Sequence, residues 1–145
     1  MGKYKTSFTK KIMMMDKEDN DIIIPSSEDI IAINKTLGFN IINQGAVDFL
    51  IARIEAKTPK KDYKRQIATI AAILWFEIIR GHPFADGNKR TATEAMKLFL
   101  KKNNHRLNTT LGGLVYISMK IANNEISYQT LIDWIYERIE NGNLH

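Results

Sequence analysis

Nine consecutive residues, His82-Pro83-Phe84-Ala85-Asp86-Gly87-Asn88-Lys89-Arg90, carry the densest set of reactive side chains in this chain. They place a histidine, a carboxylate, an amide and two cations around one glycine. The residues on both sides have the apolar spacing of helices, which predicts a compact loop that leads from one helix into the N-terminus of the next. Unpaired backbone N–H groups at a helix N-terminus attract anions. The stretch therefore indicates chemistry on a phosphate-bearing molecule such as a nucleoside triphosphate.

The segments that flank this loop predict two long helices. Tyr63 to Arg80 is apolar on nearly every side, which is typical of a helix at the centre of a bundle, and Gly81 is expected to end it. Asn88 to Asn103 forms the second helix, because its apolar residues recur at intervals of three and four: Ala92, Ala95, Met96, Phe99 and Leu100. The loop is thus predicted to lie between two helices of one core.

Four shorter helical patterns complete the predicted core. Serine and acidic residues at 26–29 favour a helix start, so a helix is predicted over about 27–37, with Gly38 at its end. A second opens at Asn43-Gln44-Gly45 and breaks at Lys57–Asp62, where proline and charge indicate an exposed connection. Two more are predicted over 111–122 and 127–140. The sequence thus predicts an all-α bundle of about six or more helices.

The first 25 residues have a different character. Two short apolar runs, Ile12–Met15 and Ile22–Ile24, are separated by the polar stretch Asp16–Asp21. This pattern predicts a small N-terminal β-hairpin or an ordered arm. We therefore divide the chain into an arm over 1–25 and a helical domain over 26–145.

Composition excludes several kinds of site. The 145 residues suffice for one domain with its own core. Because there is no cysteine, disulfides, thiolate zinc sites and cysteine nucleophiles are excluded, and a cytoplasmic location is expected. No apolar run approaches the roughly 20 residues needed to cross a bilayer, so no membrane partner is expected. The formal net charge of +5 suits a phosphate-bearing ligand or an acidic partner, and no motif supports nucleic-acid binding.

Two residues of the loop are candidates for the chemical step. His82 has an intrinsic pKa near ~6.5, so a neutral imidazole can accept a proton from an attacking hydroxyl. Asp86 offers the hard oxygen ligands that Mg²⁺ prefers. Taken singly, each has a plainer interpretation, since histidine can cap a helix and Asp-Gly is a common turn.

The other loop residues suit phosphate binding. Gly87 lets the backbone approach a bulky ligand, while Lys89 and Arg90 supply a mobile and a planar cation. Asn88 can donate its amide to phosphate or accept from a neighbouring backbone group. Phe84 is expected to anchor the loop in the core. Because so many of the nine positions carry a residue suited to this chemistry, we favour a functional site.

The loop resembles the signature of the Fic/Doc (Fido) superfamily, which reads His-x-Phe-x-(Asp/Glu)-Gly-Asn-(Gly/Lys)-Arg. Lys89 followed by Thr91-Ala92 is more similar to the death-on-curing (Doc) branch, and the resemblance covers about residues 26–139. It implies a Fido-type helical bundle that binds ATP and Mg²⁺. His82 would then be the general base, Asp86 the Mg²⁺ ligand, and the nucleotide-binding residues would be Phe84, Gly87, Asn88, Lys89 and Arg90.

The resemblance also bears on the reaction. Members that transfer AMP usually have glycine where Lys89 stands and a second arginine where this chain has Thr93. In Doc-like members, which have this lysine, the nucleotide binds in the reversed orientation and presents its γ-phosphate. The resemblance therefore implies a toxin-type transferase that moves the γ-phosphate of ATP to a Ser, Thr or Tyr hydroxyl of a cytosolic protein, by family analogy a translation factor. Fic-type AMP transfer (AMPylation) and a non-catalytic nucleotide-binding module are the alternatives, and Gly87 is a feature shared with Fic motifs.

Regulation within the superfamily often uses a helix that reads (Ser/Thr)-x-x-x-Glu-(Gly/Asn). The nearest match here, Tyr136–Asn141, has tyrosine at the Ser/Thr position, and the arginine that its glutamate would pair with is missing. We expect an ordinary helix end there. The resemblance then implies inhibition by a separate antitoxin protein.

Overall fold

A computed structural model describes residues 22–39, 43–57 and 62–142. Within these ranges the prediction of an all-α bundle is confirmed. None of the described helices combines the length and the apolar character needed to span a bilayer. The elements in chain order are α1 (Ser27–Thr36), α2 (Gln44–Lys57), α3 (Tyr63–Gly81), α4 (Asn88–Lys102), β1 (His105–Leu107), α5 (Leu111–Ala122), α6 (Tyr128–Arg138) and β2 (Ile139–Asn141).

Helix α3 is the central helix, as its all-round apolar character predicts. Twelve of its 19 residues are buried, and it packs against α2, α4, α5 and α6. Its largest buried side chain, Trp75, donates its indole N–H to the hydroxyl of Ser118 in α5 at 2.9 Å. Because each buried leucine or isoleucine contributes about 1.5–3 kcal/mol, this helix provides much of the stability that holds the flanking loop in place.

Local capping signals set most helix boundaries where the sequence predicts them. The Ser26 hydroxyl accepts from the Asp29 N–H at 3.1 Å, while the Asp29 carboxylate accepts from the Ser26 N–H at 3.0 Å. This reciprocal pair is a capping box, and it starts α1. Gly38, with φ of 92°, follows the end of the helix as expected.

The prediction of a helix as far as residue 140 is wrong at its C-terminal end. Helix α6 ends at Arg138, and β2 pairs with β1 in an antiparallel ladder that joins Arg106 to Glu140. The Arg106 guanidinium also binds the Glu140 carboxylate at 2.7 Å. Because the pairing partner lies 34 residues earlier in the chain, the local helical pattern could not reveal it.

The predicted arm lies mostly outside the described residues, so its hairpin stays a prediction. The described part, beginning at Ile22, packs on the helical domain: Ile22 and Ile24 are buried in its core. The side chain of Asn103, just after α4, accepts from the N–H of Ile23 and donates to its carbonyl, both at 2.8 Å. The chain therefore enters the domain beside the C-terminus of α4.

Candidate active site

The nine-residue loop lies between the C-terminus of α3 and the N-terminus of α4. Helix α3 extends through Gly81, and His82, not Gly81, takes the left-handed conformation that ends it, with φ of 48° and ψ of 55°. That conformation costs a residue with a side chain about 1–2 kcal/mol. Pro83 follows and has no N–H with which to continue the helix. His82 is exposed, so its imidazole is open to a reactant.

A two-way hydrogen bond closes the loop. The Oδ1 of Asn88 accepts from the N–H of Phe84 at 3.2 Å, and its Nδ2 donates to the Phe84 carbonyl at 3.0 Å. The sequence allows the Asn88 amide to bind phosphate or to bond to a neighbouring backbone group, and the structure shows the bond to the backbone. The ring of Phe84 is only 1 % exposed, so it fixes the loop to the core without facing a ligand.

Helix α1 holds the loop from a second side through Asn34, a residue that sequence reasoning missed. The buried Asn34 amide donates to the Asp86 carbonyl at 3.2 Å and to the Thr91 hydroxyl at 3.0 Å. One signal was available in the sequence, because Asn34 lies one turn after Ile30 on the buried face of the helix. A polar residue on a buried face needs partners, and here they are the loop and the start of α4.

Gly87 is required by a contact inside the protein. Its φ of 73° is left-handed, and a Cβ added to it would lie 2.5 Å from Cδ2 of the Phe39 ring. A side chain there would force the ring to move and would strain the backbone. The sequence predicts Gly87 for close approach to a ligand; the structure adds Phe39 as an independent reason, which no local pattern indicated.

Helix α4 is the one described helix whose first turn no side chain caps. Its N-cap is Gly87, and its first backbone hydrogen bond joins the Thr91 N–H to the Gly87 carbonyl at 2.8 Å. The other described helices all have a side-chain oxygen on a first-turn N–H, from Ser26, Asn43, Asp62, Thr110 and Ser127. The N–H groups of residues 88–90 therefore project freely, with the positive end of the helix dipole behind them.

Charged side chains surround these free amides. Lys89 and Arg90 are exposed, and neither forms an ion pair with a described residue. Asp86 is also exposed; its Oδ1 accepts from the Gly87 N–H at 2.7 Å, which leaves the second oxygen for a cation. The described residues contain no cluster of three or more metal-binding side chains. Such a single carboxylate suits Mg²⁺, which completes its shell with phosphate oxygens and water.

Thr93 lies one turn into α4 and faces α5 rather than the free amides. Its hydroxyl donates to the Lys89 carbonyl at 3.0 Å and lies 3.1 Å from the hydroxyl of Ser118. Ser118 in turn accepts from the Trp75 indole. Position 93 therefore helps to tie α4 to α3 and α5.

Glu140 lies at the other end of α4. It is the glutamate of Tyr136–Asn141, the stretch that most nearly matches the regulatory helix of the superfamily. It is on β2, where it pairs with Arg106, while the loop precedes the first turn of α4. A helix of 15 residues is about 22 Å long. Glu140 therefore does not contact the candidate site.

The chain is similar in sequence to one family of known proteins. A sequence model described as the Fic/DOC family matches residues 24–100, which is more than half of the chain. The matched range includes the whole loop and most of α4. No curated protein matches the chain.

Proposed function

The chain belongs to the Fic/DOC family, and on this premise we propose that it transfers the γ-phosphate of ATP to a protein hydroxyl, with His82 as the general base. The family as a whole comprises Fido-type nucleotide-transferring modules, which supports a transferase. The observation that carries the proposal is the uncapped first turn of α4 beside an exposed histidine. Free amides at a helix N-terminus bind phosphate oxygens, and a base within the same loop serves the acceptor hydroxyl.

The donor set fits a magnesium–triphosphate ligand. Asp86 would hold Mg²⁺, which when bound neutralises the charge of phosphate oxygens. Arg90 would bind phosphate through its planar fork, and Lys89 would add a point charge nearby. Asn88 keeps the loop closed, and Gly87 leaves the backbone amides accessible.

The proposed step is an in-line displacement at phosphorus. The acceptor oxygen forms a bond to the γ-phosphorus while its proton passes to the His82 imidazole. The bond between that phosphorus and the β–γ bridging oxygen breaks, and ADP leaves with the electron pair. The amides of residues 88–90 stabilise the negative charge on the phosphate oxygens, because they are already oriented before the reaction begins.

Two residues favour γ-phosphate transfer over AMP transfer. Lys89 fills the space where AMP-transferring members have glycine, and Thr93 stands in place of their second arginine and faces Ser118. Gly87 does not discriminate between the reactions, because the Phe39 ring demands glycine in either case.

We further propose a cytosolic protein acceptor, with a Ser, Thr or Tyr hydroxyl, and a translation factor as the acceptor that the family resemblance favours. Inhibition would come from a separate antitoxin. The position of Glu140 at the far end of α4 supports this, because the nearest regulatory motif in the chain cannot reach the loop.

A parallel labelling assay tests the reaction. Protein and Mg²⁺ are incubated with cell extract and with either α-labelled or γ-labelled ATP. We expect labelled protein from γ-labelled ATP alone, and none with His82→Ala. Lys89→Gly should weaken labelling, while Lys101→Gly, the same change in the last turn of α4, should leave it unchanged.

Two outcomes would reject the proposed reaction. Label from α-labelled ATP would identify AMP transfer. Nucleotide binding by both the parent protein and His82→Ala, without label in either, would identify a non-catalytic binding module.

A further inference from the structure

Three side chains from three helices form a continuous line of hydrogen bonds that ends in the first turn of α4. The indole N–H of Trp75 in α3 donates to the hydroxyl of Ser118 in α5 at 2.9 Å. The Ser118 hydroxyl lies 3.1 Å from that of Thr93 in α4, and Thr93 donates to the carbonyl of Lys89 at 3.0 Å. Trp75 and Ser118 are both buried, so water does not compete for the bond between them.

The direction of each bond in this line follows from the hydrogens that are available. An indole N–H can only donate, a backbone carbonyl can only accept, and each hydroxyl has one hydrogen to give. Because Thr93 gives its hydrogen to Lys89, it accepts one from Ser118. The Ser118 oxygen in turn accepts from Trp75. All three bonds therefore run the same way, from the core towards the start of α4.

The line ends on the peptide group that carries the N–H of Arg90. A peptide group is a resonance system, so a hydrogen bond accepted by its carbonyl makes its N–H a stronger donor. The Arg90 N–H is one of the three free amides at the start of α4. The other two belong to peptide groups with the carbonyls of Gly87 and Asn88, on which no side chain of a described residue donates a hydrogen bond.

We propose that Ser118 is a positioning residue of the candidate active site, which acts through Thr93 to strengthen the Arg90 N–H as a donor to phosphate oxygens. This inference rests on the proposed function, which places phosphate at these amides. Hydrogen bonds aligned head to tail polarise one another, by about 10–30 % per bond. The amide is thus prepared for an anion before the ligand arrives.

A purely structural role would need only part of this arrangement. A threonine hydroxyl can bond to the carbonyl four residues earlier in any helix. Thr36 and Thr69 form this bond at 2.9 Å and 2.8 Å, and neither accepts from a second hydroxyl of a described residue. Thr93 differs because Ser118 donates to it and because its target carbonyl lies in the first turn, next to the free amides.

Nuclear magnetic resonance of the full, isotopically labelled chain tests the polarisation without any ligand. Ser118→Ala leaves the bond from Thr93 to Lys89 in place but removes the donor behind it. We expect the ¹³C signal of the Lys89 carbonyl and the amide ¹⁵N signal of Arg90 to move upfield. Thr93→Val should move both signals further in the same direction, and Thr93→Ser should keep them close to those of the parent.

Thr69→Val is the matched control, because it removes the same type of bond within α3. It should leave the signals of Lys89 and Arg90 unchanged. Circular dichroism confirms that each variant is folded.

Binding of inorganic tripolyphosphate, measured by calorimetry, tests the consequence for anions. This probe has no nucleoside and requires no transfer activity. Ser118→Ala and Thr93→Val should each weaken its binding by about two- to fourfold, because a phosphate oxygen loses part of one hydrogen bond. Thr93→Ser and Thr69→Val should bind it as the parent does.

Two results would overturn the inference. One is that the signals of Lys89 and Arg90 respond to Ser118→Ala no more than to Thr69→Val. The other is tripolyphosphate binding that is absent from the parent or equal in the parent and Ser118→Ala. The labelling assay keeps the proposed function separate: without phosphate transfer, but with the expected shifts and tripolyphosphate affinities, the transfer reaction is rejected and the role of Ser118 in anion binding is supported.

Discussion

The side chain of Asn88 is hydrogen-bonded to both backbone groups of Phe84, at 3.2 Å from its N–H and 3.0 Å from its carbonyl. Because Phe84 is itself buried, this pair fixes the first turn of α4 relative to the core. Asp86 and Gly87 lie between the two residues and are constrained by the same closure. Such preorganisation places reactive groups before any ligand arrives.

Asn88→Ala should therefore destabilise the protein by about 1–3 kcal/mol, because it leaves a partly buried N–H and carbonyl without partners. Urea denaturation measures the difference. Asn123→Ala, at the exposed C-cap of α5, is the matched control and should change stability by less than about 0.5 kcal/mol. Equal effects of the two substitutions would show that the closure does not stabilise the loop.

The contact between Gly87 and Phe39 predicts coupling between two substitutions. Gly87→Ala should cost about 1–2 kcal/mol for the left-handed backbone, with an added cost from the clash with the ring. In a Phe39→Ala background the clash is absent, so the cost of Gly87→Ala should fall by about 0.5 kcal/mol or more. A double-mutant cycle in urea measures this coupling, and strictly additive effects would contradict it.

Two substitutions of His82 should differ in folding stability but not in phosphate transfer. Its φ of 48° suits glycine better than any residue with a Cβ, so His82→Gly should be more stable than His82→Ala by about 1 kcal/mol. Both variants should lose phosphate transfer, since neither carries a base. Thermal unfolding of the two variants provides the comparison, and equal stability would mean that the strain has been relieved elsewhere.

His105 should make folding stability fall in mild acid. Burial lowers the pKa of His105, and the backbone carbonyl of Glu140 partly opposes this shift. Because the folded pKa lies below the unfolded value of about 6.5, the unfolded chain binds the proton more readily. The stability that neutral His105 contributes is therefore fully present above about pH 6.5 and is lost as the pH falls towards the folded pKa.

Thermal unfolding across pH tests this sign. Between about pH 7.5 and 5.5, His105→Gln should lose less Tm than the parent, whereas between about pH 8.5 and 7.5 the two curves should run parallel. A steeper loss in His105→Gln would mean that the pKa moves in the opposite direction.

The helices and the reactive loop could be predicted because their signals are local. The capping box of Ser26 and Asp29 lies within four residues, and the apolar spacing of α3 and α4 belongs to each helix alone. By contrast, β2 requires a partner strand that follows α4, so its residues resemble a continued helix.

The supports of the loop could not be predicted for the same reason. Asn34 and Phe39 come from another part of the chain and contact the loop only after folding. The left-handed backbone likewise falls on His82 because α3 extends through Gly81, although glycine is the residue that prefers this conformation. The sequence could therefore name the reactive side chains but not the contacts that hold them.

Phosphate binding by the free amides in the first turn of α4 can be measured directly by nuclear magnetic resonance. Backbone amide chemical shifts of isotopically labelled protein would be followed while ATP and Mg²⁺ are added. We expect the largest saturable changes at Asn88, Lys89 and Arg90, because their N–H groups bind phosphate oxygens. Changes centred instead on Lys97 and Lys101 in the C-terminal half of α4, or no saturable change in its first turn, would contradict this role of the amides.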